Sequence, residues 1–240
     1  NSTGTVSGGE VSENTATNGG GLYLYSEGST ATIRDGSIQK NAAERNGGGI
    51  YVSSGTLNVT GGDIKANTAG SEDSTFQCTG GGIAVYAWTG NAEINISGGS
   101  ISGNQVISTN APRGGGVYIG TGNDSNTITL NMTGGSIGAE GSGNTVKNST
   151  NGTVDLYGAG LCVASYENTT VNISGGSISY NELETSGFSA SGAGVAFLGK
   201  SQNTIGATAE ISHNTITASS QKPVSGAGVY VAKDAAVTMN

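Results

Sequence analysis

Residues 47–67 read GGGIYVSSGTLNVTGGDIKAN, and this stretch contains the features that decide the fold. Three glycines open it, two runs of alternating apolar and polar residues follow, and Gly-Gly-x-Ile-x-x-Asn closes it. The opening motif, Gly-(Gly or Ala)-Gly before apolar-x-apolar, starts at Gly19, Gly47, Gly80, Gly114, Gly158, Gly192 and Gly226. These starts lie 28 to 44 residues apart, a recurrence typical of solenoid repeat proteins.

The alternation predicts which side chains of each repeat enter the core. In the quoted repeat, Ile50 with Val52, Leu57 with Val59, and Ile64 form three apolar walls on three short strands. Equivalent residues recur in the other repeats, so the walls stack into one narrow core. The sequence therefore predicts an all-β fold, a single-stranded right-handed parallel β-helix of about six coils with three short strands per coil.

Insertions fall mainly between the Asn of one repeat and the glycine triplet of the next, as a comparison of residues 41–47 with residues 67–80 shows. Stacked strands must keep their register, so we expect the long loops at one corner. We interpret residues 1–240 as one β-helix segment. Neither end carries a recognisable capping element, which solenoids need, and we therefore expect a fragment of a longer repeat protein.

Composition excludes several classes of function. The formal net charge is −8 with nine Lys and Arg residues, so no basic face is expected to bind nucleic acid. His213 is the only histidine, and no cofactor or metal motif is present. Cys78 and Cys162 are expected two coils, or about 9–10 Å, apart, beyond the roughly 7 Å that a disulfide spans. We predict two free thiols.

Several motifs resemble those of a known family. Gly47-Gly48-Gly49-Ile50 and Ile64-Lys65-Ala66-Asn67 resemble the Gly-Gly-Ala-Ile and Phe-x-x-Asn motifs of the polymorphic outer-membrane-protein repeat. Ile or Val stands here for the Phe of that motif, and Gly usually stands for its Ala. The family consists of adhesin-like surface β-helices. The resemblance implies an exported bacterial protein at the cell surface, extracellular in this segment, with an anchor outside it.

An Asn follows the inward Ile or Val of the third strand in every repeat. The spacing is three residues in six repeats and seven residues in the repeat of Ile137. Its seven positions are Asn14, Asn41, Asn67, Asn104, Asn144, Asn181 and Asn214. Stacked Asn side chains can hydrogen-bond along the solenoid while satisfying turn backbone groups, which favours a structural Asn ladder. The alternative, amides that grip a ligand, requires them to face outward. The small apolar residue two positions later favours the inward interpretation.

The glycine triplets leave two explanations open. Their middle residue changes from Gly to Ala along the chain, whereas both flanking residues stay Gly. The flanking residues must be Gly either because the chain turns a corner there with a positive φ, or because another group lies close to the backbone. We favour the corner.

The residue between the two inward apolar positions of the first strand is expected to face outward. It is Tyr in four repeats, at Tyr23, Tyr51, Tyr118 and Tyr230. Exposed Tyr rings beside bare glycines form a flat strip suited to sugar rings, and Tyr23 with Tyr51 is the only adjacent pair. The alternative is that β-propensity alone places Tyr on an exposed strand.

These features predict a monomeric, non-catalytic adhesin-like segment that acts as a structural stalk, binds a host glycan or surface protein, or does both. We expect no membrane insertion of this segment and no cofactor. The alternative is a polysaccharide-degrading enzyme, a lyase or glycoside hydrolase of the pectate-lyase-like β-helix type. Glu10 and Asp63 are its candidate carboxylates, because their expected separation of two coils is near that of inverting glycosidases.

Overall fold

The computed structural model describes residues 2–148, 154–165, 167–219 and 222–240. These residues form 29 strands and no helix, arranged in three sheets. Every strand pair is parallel, and each strand pairs with its equivalents in neighbouring repeats, as Ile83 does with Ile50 and Val117. The predicted all-β architecture of stacked parallel repeats is confirmed.

Sheet C contains the strands that follow the glycine triplets, one from each repeat. Its seven strands are Leu22–Leu24, Ile50–Val52, Ile83–Val85, Val117–Gly120, Leu161–Ala164, Val195–Phe197 and Val229–Val231. The register keeps equivalent residues opposite each other, and Tyr23, for example, pairs with Tyr51.

Sheet A contains both of the remaining predicted strands of each repeat. Its ten strands are Thr3–Ser12, Thr30–Gln39, Gly55–Val59, Asp63–Lys65, Ala92–Ile96, Ser100–Ser102, Ile128–Ile137, Thr169–Ser179, Gln202–Ser212 and Ala236–Met239. At the Gly-Gly step the second glycine has a positive φ, 69° at Gly62 and 78° at Gly99. This step kinks the chain without ending the sheet, so the two predicted strands are parts of one sheet.

Sheet B is formed by the segment between each Asn and the next triplet, which the sequence analysis had assigned to loops. Its twelve strands are Thr15–Asn18, Ala42–Asn46, Thr68–Gly70, Gln77–Thr79, Gln105–Ser108, Asn110–Arg113, Thr145–Asn148, Leu156–Tyr157, Glu182–Thr185, Ala190–Ser191, Thr215–Ala218 and Val224–Ser225. The expectation of a bare loop was wrong because these strands are only two to five residues long and several bury a small side chain such as Ala69, a weak signal in the sequence. Loops 71–76 and 186–189 lie between the two sheet B strands of their repeats, on the predicted side, but loops 86–91 and 121–127 between sheets C and A are at least as long, so long loops are not confined to one corner.

The buried residues form three clusters. The predicted walls of sheets A and C pack into the largest cluster, which includes Ile50, Leu57 and Ile64, all with no exposed surface. A smaller cluster under sheet B contains Ala69, Val106 and their equivalents, and a third lies on the outer face of sheet C. In the chain the four ladder residues from Asn67 to Asn181 each lie between an Ile of the first cluster and a residue of the second.

The seven predicted Asn residues form a continuous ladder. The Nδ2 group of each donates to Oδ1 of the next, at 3.0, 3.1, 2.9, 2.9, 2.9 and 2.9 Å from Asn14 to Asn214. Asn104 shows the complete pattern, because its Nδ2 also donates to the carbonyl of Ile64 and its Oδ1 also accepts the backbone N–H of Asn67. Its two amide protons and both Oδ1 lone pairs are therefore used.

The two flanking glycines of each triplet are required for different reasons. The first has a positive φ in all seven repeats, 66° at Gly47 for example, which only Gly adopts without strain. The third lies against the ladder, since a Cβ at Gly82 would be 3.0 Å from Asn104 Nδ2 and 2.7 Å from the carbonyl oxygen of Gly116. A Cβ at the first glycine would also meet backbone, as at Gly47, where it would be 2.3 Å from the carbonyl oxygen of Ile50. Both explanations left open by the sequence therefore apply to the first glycine, and close approach alone applies to the third.

Replacing Asn104 by Ala should lower the free energy of unfolding by about 1–3 kcal/mol, because it leaves buried amide and carbonyl groups without partners. Asn95→Ala is the matched control. Asn95 belongs to a second row of Asn side chains on the half-exposed face of sheet A, where water can replace the lost hydrogen bonds. Urea unfolding of both variants measures the difference, and equal effects would contradict a dominant role for the buried ladder.

The residue before the ladder Asn adopts left-handed backbone geometry in six repeats, with φ of 53° at Ala66 and 62° at Gly103. A Cβ at Gly103 would meet nothing closer than 3.8 Å, so backbone strain alone would oppose Gly103→Ala. We expect that change to lower the free energy of unfolding by about 1 kcal/mol and Ala66→Gly to raise it by a similar amount. Chemical denaturation of the pair tests this, and a loss of stability in both variants would refute it.

Candidate functional site

The outward column of sheet C is largely buried, which corrects the expectation of a fully exposed Tyr strip. Tyr51 and Tyr118 are each only 4% exposed, whereas Tyr23 is 47% exposed. Tyr230 is half-buried. Of the four predicted positions, therefore, only Tyr23 presents much of its ring to solvent.

The bend at the first triplet glycine explains this burial. It folds the end of sheet B back toward the outer face of sheet C, so that residues before and after the triplet meet. Thr79 Oγ1 lies 3.2 Å from the hydroxyl of Tyr86 across one such bend. Tyr118 packs in a cluster with Cys162 and Tyr86, and Tyr157 lies against the same cluster.

The exposed part of this face is an aromatic patch of Tyr23, Tyr25, Tyr51, Tyr86 and Trp88. Tyr25 is 62% exposed and Trp88 is 55% exposed. The Tyr23 ring meets Tyr25 and Tyr51 edge-on, with centroids 6.0 and 5.0 Å apart. The Tyr86 ring stacks between Tyr51 and Trp88, at centroid distances of 6.0 and 6.5 Å. One buried ring, Tyr51, and one partly buried ring, Tyr86, thus support three exposed ones.

Backbone contacts hold the exposed rings of the patch in place. The carbonyl oxygen of Tyr25 accepts hydrogen bonds from Ser54 Oγ at 2.7 Å and from Thr89 Oγ1, which tie it to the next two repeats. The indole of Trp88 lies against Gly122, where a Cβ would be 2.8 Å from the ring. The patch is therefore fixed by four neighbouring segments rather than carried on a free loop.

The structure separates Tyr230 from the other predicted tyrosines. Its ring packs on Tyr157, with centroids 5.9 Å apart, whereas Tyr118 packs on Tyr86 at 5.3 Å. The small residues Cys162 and Ala196 occupy the column between Tyr118 and Tyr230. Tyr23, Tyr51 and Tyr118 are thus linked through Tyr86, which the sequence analysis did not name.

Sequence reasoning missed Tyr25, Tyr86 and Trp88, although one signal was available. Tyr25 and Tyr86 each directly follow the second inward apolar residue of a sheet C strand, so period-2 alternation places them on the outward side. Trp88 lies in an irregular bend after its strand, where no periodic signal applies.

The outer face of sheet A carries a second Asn row that the sequence analysis also missed. Asn58, Asn95, Asn131 and Asn172 are joined by hydrogen bonds of 3.1, 3.0 and 3.0 Å between Nδ2 and Oδ1. Their position between two inward apolar residues, as in Leu57-Asn58-Val59, was the available signal. These amides are engaged with one another, which stiffens this face.

The candidate carboxylates of the enzymatic alternative lie in one outward column, since Ser37 pairs with both Glu10 and Asp63. Asp63 is engaged by Lys65 Nζ at 2.8 Å. His213 is an exposed turn residue with a φ of 54°, stacked on Tyr180 at 4.8 Å. Within the described ranges, no group of three or more His, Cys, Asp and Glu side chains is placed to hold a metal ion.

Comparisons with protein-family models, curated proteins and solved structures find no match for this chain. The resemblance to the outer-membrane-protein repeat therefore stays a prediction based on the motifs. No described helix is long and apolar enough to cross a membrane.

Both cysteines are free, as predicted, and both are buried. Burial raises the pKa of the Cys162 thiol from 9.0 to about 12, and the Arg113 guanidinium opposes part of that rise. Burial also raises the pKa of Tyr118 well above 10.0. The folded state thus holds these protons more tightly than the unfolded chain does.

This difference predicts that stability is fully retained below about pH 9 and declines as the pH rises from 9 to 12, because the unfolded chain loses these protons first. Urea midpoints between pH 8 and pH 11 measure the decline. Cys162→Ala is the control, since Ala84 and Ala196 occupy the same column, and it should show a shallower decline. An unchanged pH dependence in this variant would contradict the contribution of Cys162.

Proposed function

We propose that this chain is a rigid, non-catalytic segment of a bacterial cell-surface adhesin-like protein that binds glycans through the aromatic patch. In this proposal the segment is extracellular and monomeric. Its right-handed solenoid of about six coils also serves as the stalk that displays the patch. The anchor lies outside residues 1–240.

One observation carries the binding part of the proposal. Tyr23, Tyr25 and Trp88 expose 47%, 62% and 55% of their surface within one contiguous cluster. Clustered exposed aromatic rings on a soluble protein mark interaction surfaces, and aromatic faces with polar rims suit ligands that are partly apolar and partly hydroxylated. The stacked planes of Tyr86 and Trp88, 14° apart, supply the flat surface that a pyranose ring covers.

Rigidity favours recognition by this patch. The rings are supported by buried Tyr51 and by the hydrogen bonds to the Tyr25 carbonyl, so binding orders few side chains. Preorganised aromatic anchors bind with a small loss of conformational entropy.

The stalk part of the proposal is supported by the continuous Asn ladder. Its hydrogen bonds join every repeat to the next from Asn14 to Asn214. A solenoid tied in this way resists local opening, which a displayed protein needs against proteases. The net charge of −8 keeps such a rod soluble and disfavours polyanionic nucleic acid.

A glycan array probed with the 240-residue chain tests the proposal. We expect the double variant Tyr25→Ala/Trp88→Ala to weaken binding to any hit by at least about tenfold, because central aromatic anchors carry most of the energy of such contacts. Phe76→Ala is the matched control, since Phe76 is exposed but lies outside the patch. Tyr51→Ala is unsuitable because it would remove a buried ring.

Two results would contradict the binding role. One is an array without any sugar hit, which leaves only the stalk. The other is a hit whose affinity is unchanged in Tyr25→Ala/Trp88→Ala while circular dichroism shows a native fold. Release of reducing ends from any polysaccharide on the array would contradict the non-catalytic part of the proposal.

A further inference from the structure

A pocket lies on the same face as the aromatic patch. The side chains of the outward column are small at Cys162 and Ala196, and this pocket of about 300 Å³ lies near them. Arg113, Tyr157 and Tyr230 are among the residues that line it. We name it the Arg113 pocket.

Arg113 is held at the base of this pocket by sheet B. It ends the strand Asn110–Arg113 and pairs with Thr79 on one side and Tyr157 on the other. Its guanidinium carbon lies 5.5 Å from the centroid of the Tyr157 ring. The Arg113 backbone is therefore fixed by strand pairing on both sides, and its guanidinium lies against the Tyr157 ring.

The guanidinium has no acidic partner among the described residues. Arg113 takes part in none of their three ion pairs, and its Nε is buried without a hydrogen bond. Burying a hydrogen-bond donor of a charged group without an acceptor costs free energy. In a chain with 17 acidic and nine basic residues, the buried, unpartnered Nε of this arginine indicates a site for an external anion.

The groups around Arg113 do not supply that anion. Its neighbours in the outward cluster are the phenols of Tyr86, Tyr118 and Tyr157 and the thiol of Cys162. Burial raises the pKa of each of these four groups, so they are neutral at pH 7. The carboxylate of Asp155 is exposed, and it accepts a hydrogen bond from the Tyr157 hydroxyl at 3.4 Å rather than pairing with Arg113.

We propose that the Arg113 pocket binds an acidic sugar, with its carboxylate or sulfate group on the Arg113 guanidinium. The planar fork of arginine matches such anions with two parallel hydrogen bonds. The rings of Tyr157 and Tyr230, 5.9 Å apart and tilted by 31°, line the wall on which the sugar ring packs. The pocket volume is at the small end of ligand sites, which suits one sugar unit.

This inference rests on the proposed glycan binding and names its substrate class, yet it uses a different part of the face. The aromatic patch selects for ring surface, whereas the Arg113 pocket selects for charge. A glycan that covers both sites would be a chain of sugars with acidic units.

The experiment compares four forms of one probe, a chondroitin sulfate hexasaccharide: intact, desulfated, carboxyl-reduced, and both. Isothermal titration calorimetry of the full 240-residue chain should show at least about tenfold weaker binding of the neutral form, because charge-assisted hydrogen bonds to arginine are lost. The two singly modified forms identify which anion binds. Arg113→Gln should remove the preference for the intact form, whereas Arg45→Gln, which removes an arginine stacked on Phe76 outside the pocket, should keep it.

Arg113→Lys provides a second variant that keeps the charge but not the fork, and it should retain only part of the preference. Equal affinity for the intact and neutral forms overturns the proposal, and so does a preference that persists in folded Arg113→Gln. Equally tight, Arg113-dependent binding of a poly-glutamate peptide overturns the sugar assignment. If Tyr25→Ala/Trp88→Ala binds normally while Arg113→Gln loses the acidic preference, the aromatic patch fails and the Arg113 pocket stands.

Discussion

The contact between the ladder Asn and the third glycine of the triplet is the constraint on which the other features depend. At Gly82, the amide of Asn104 lies so close that even a methyl group would meet Nδ2 at 3.0 Å. The Asn amide uses all its donors and acceptors here. A shorter or longer side chain could not bridge the same distances, and an aspartate would lack the donors. The width of each repeat is fixed at this point.

This fixed width has consequences on the outer face. Because the first glycine of each triplet bends the chain at a positive φ, the end of sheet B must lie over the start of sheet C. The outward column of sheet C then becomes a buried seam, filled by Tyr118 in one repeat and by Cys162 in the next. Within the aromatic patch, the rings of Tyr23, Tyr25 and Trp88 reach solvent, whereas the Tyr51 ring stays buried.

Much of the fold follows from the sequence because it is local and periodic. Alternation identifies the inward residues of sheets A and C, and the Asn ladder follows from seven equivalent positions. Sheet B was missed because its strands are only two to five residues long and several bury a small residue such as Ala69, a pattern too weak to distinguish from a turn. The burial of Tyr51 could not be predicted, since it depends on a bend that brings distant segments together. The same long-range packing places Trp88 beside Tyr86.

The Asn ladder and the outward column of sheet C differ in how much sequence variation they accept. The ladder positions and the flanking glycine positions keep Asn and Gly in every repeat, whereas the seam column contains Tyr, Ala and Cys in different repeats of one chain. Arg113 and Tyr157 line a pocket near the part of the column that carries Cys162 and Ala196. Substitutions in this column do not touch the hydrogen bonds that join the ladder residues. In the proposed function, the side chains that set binding specificity are therefore separate from the Asn ladder that joins the repeats.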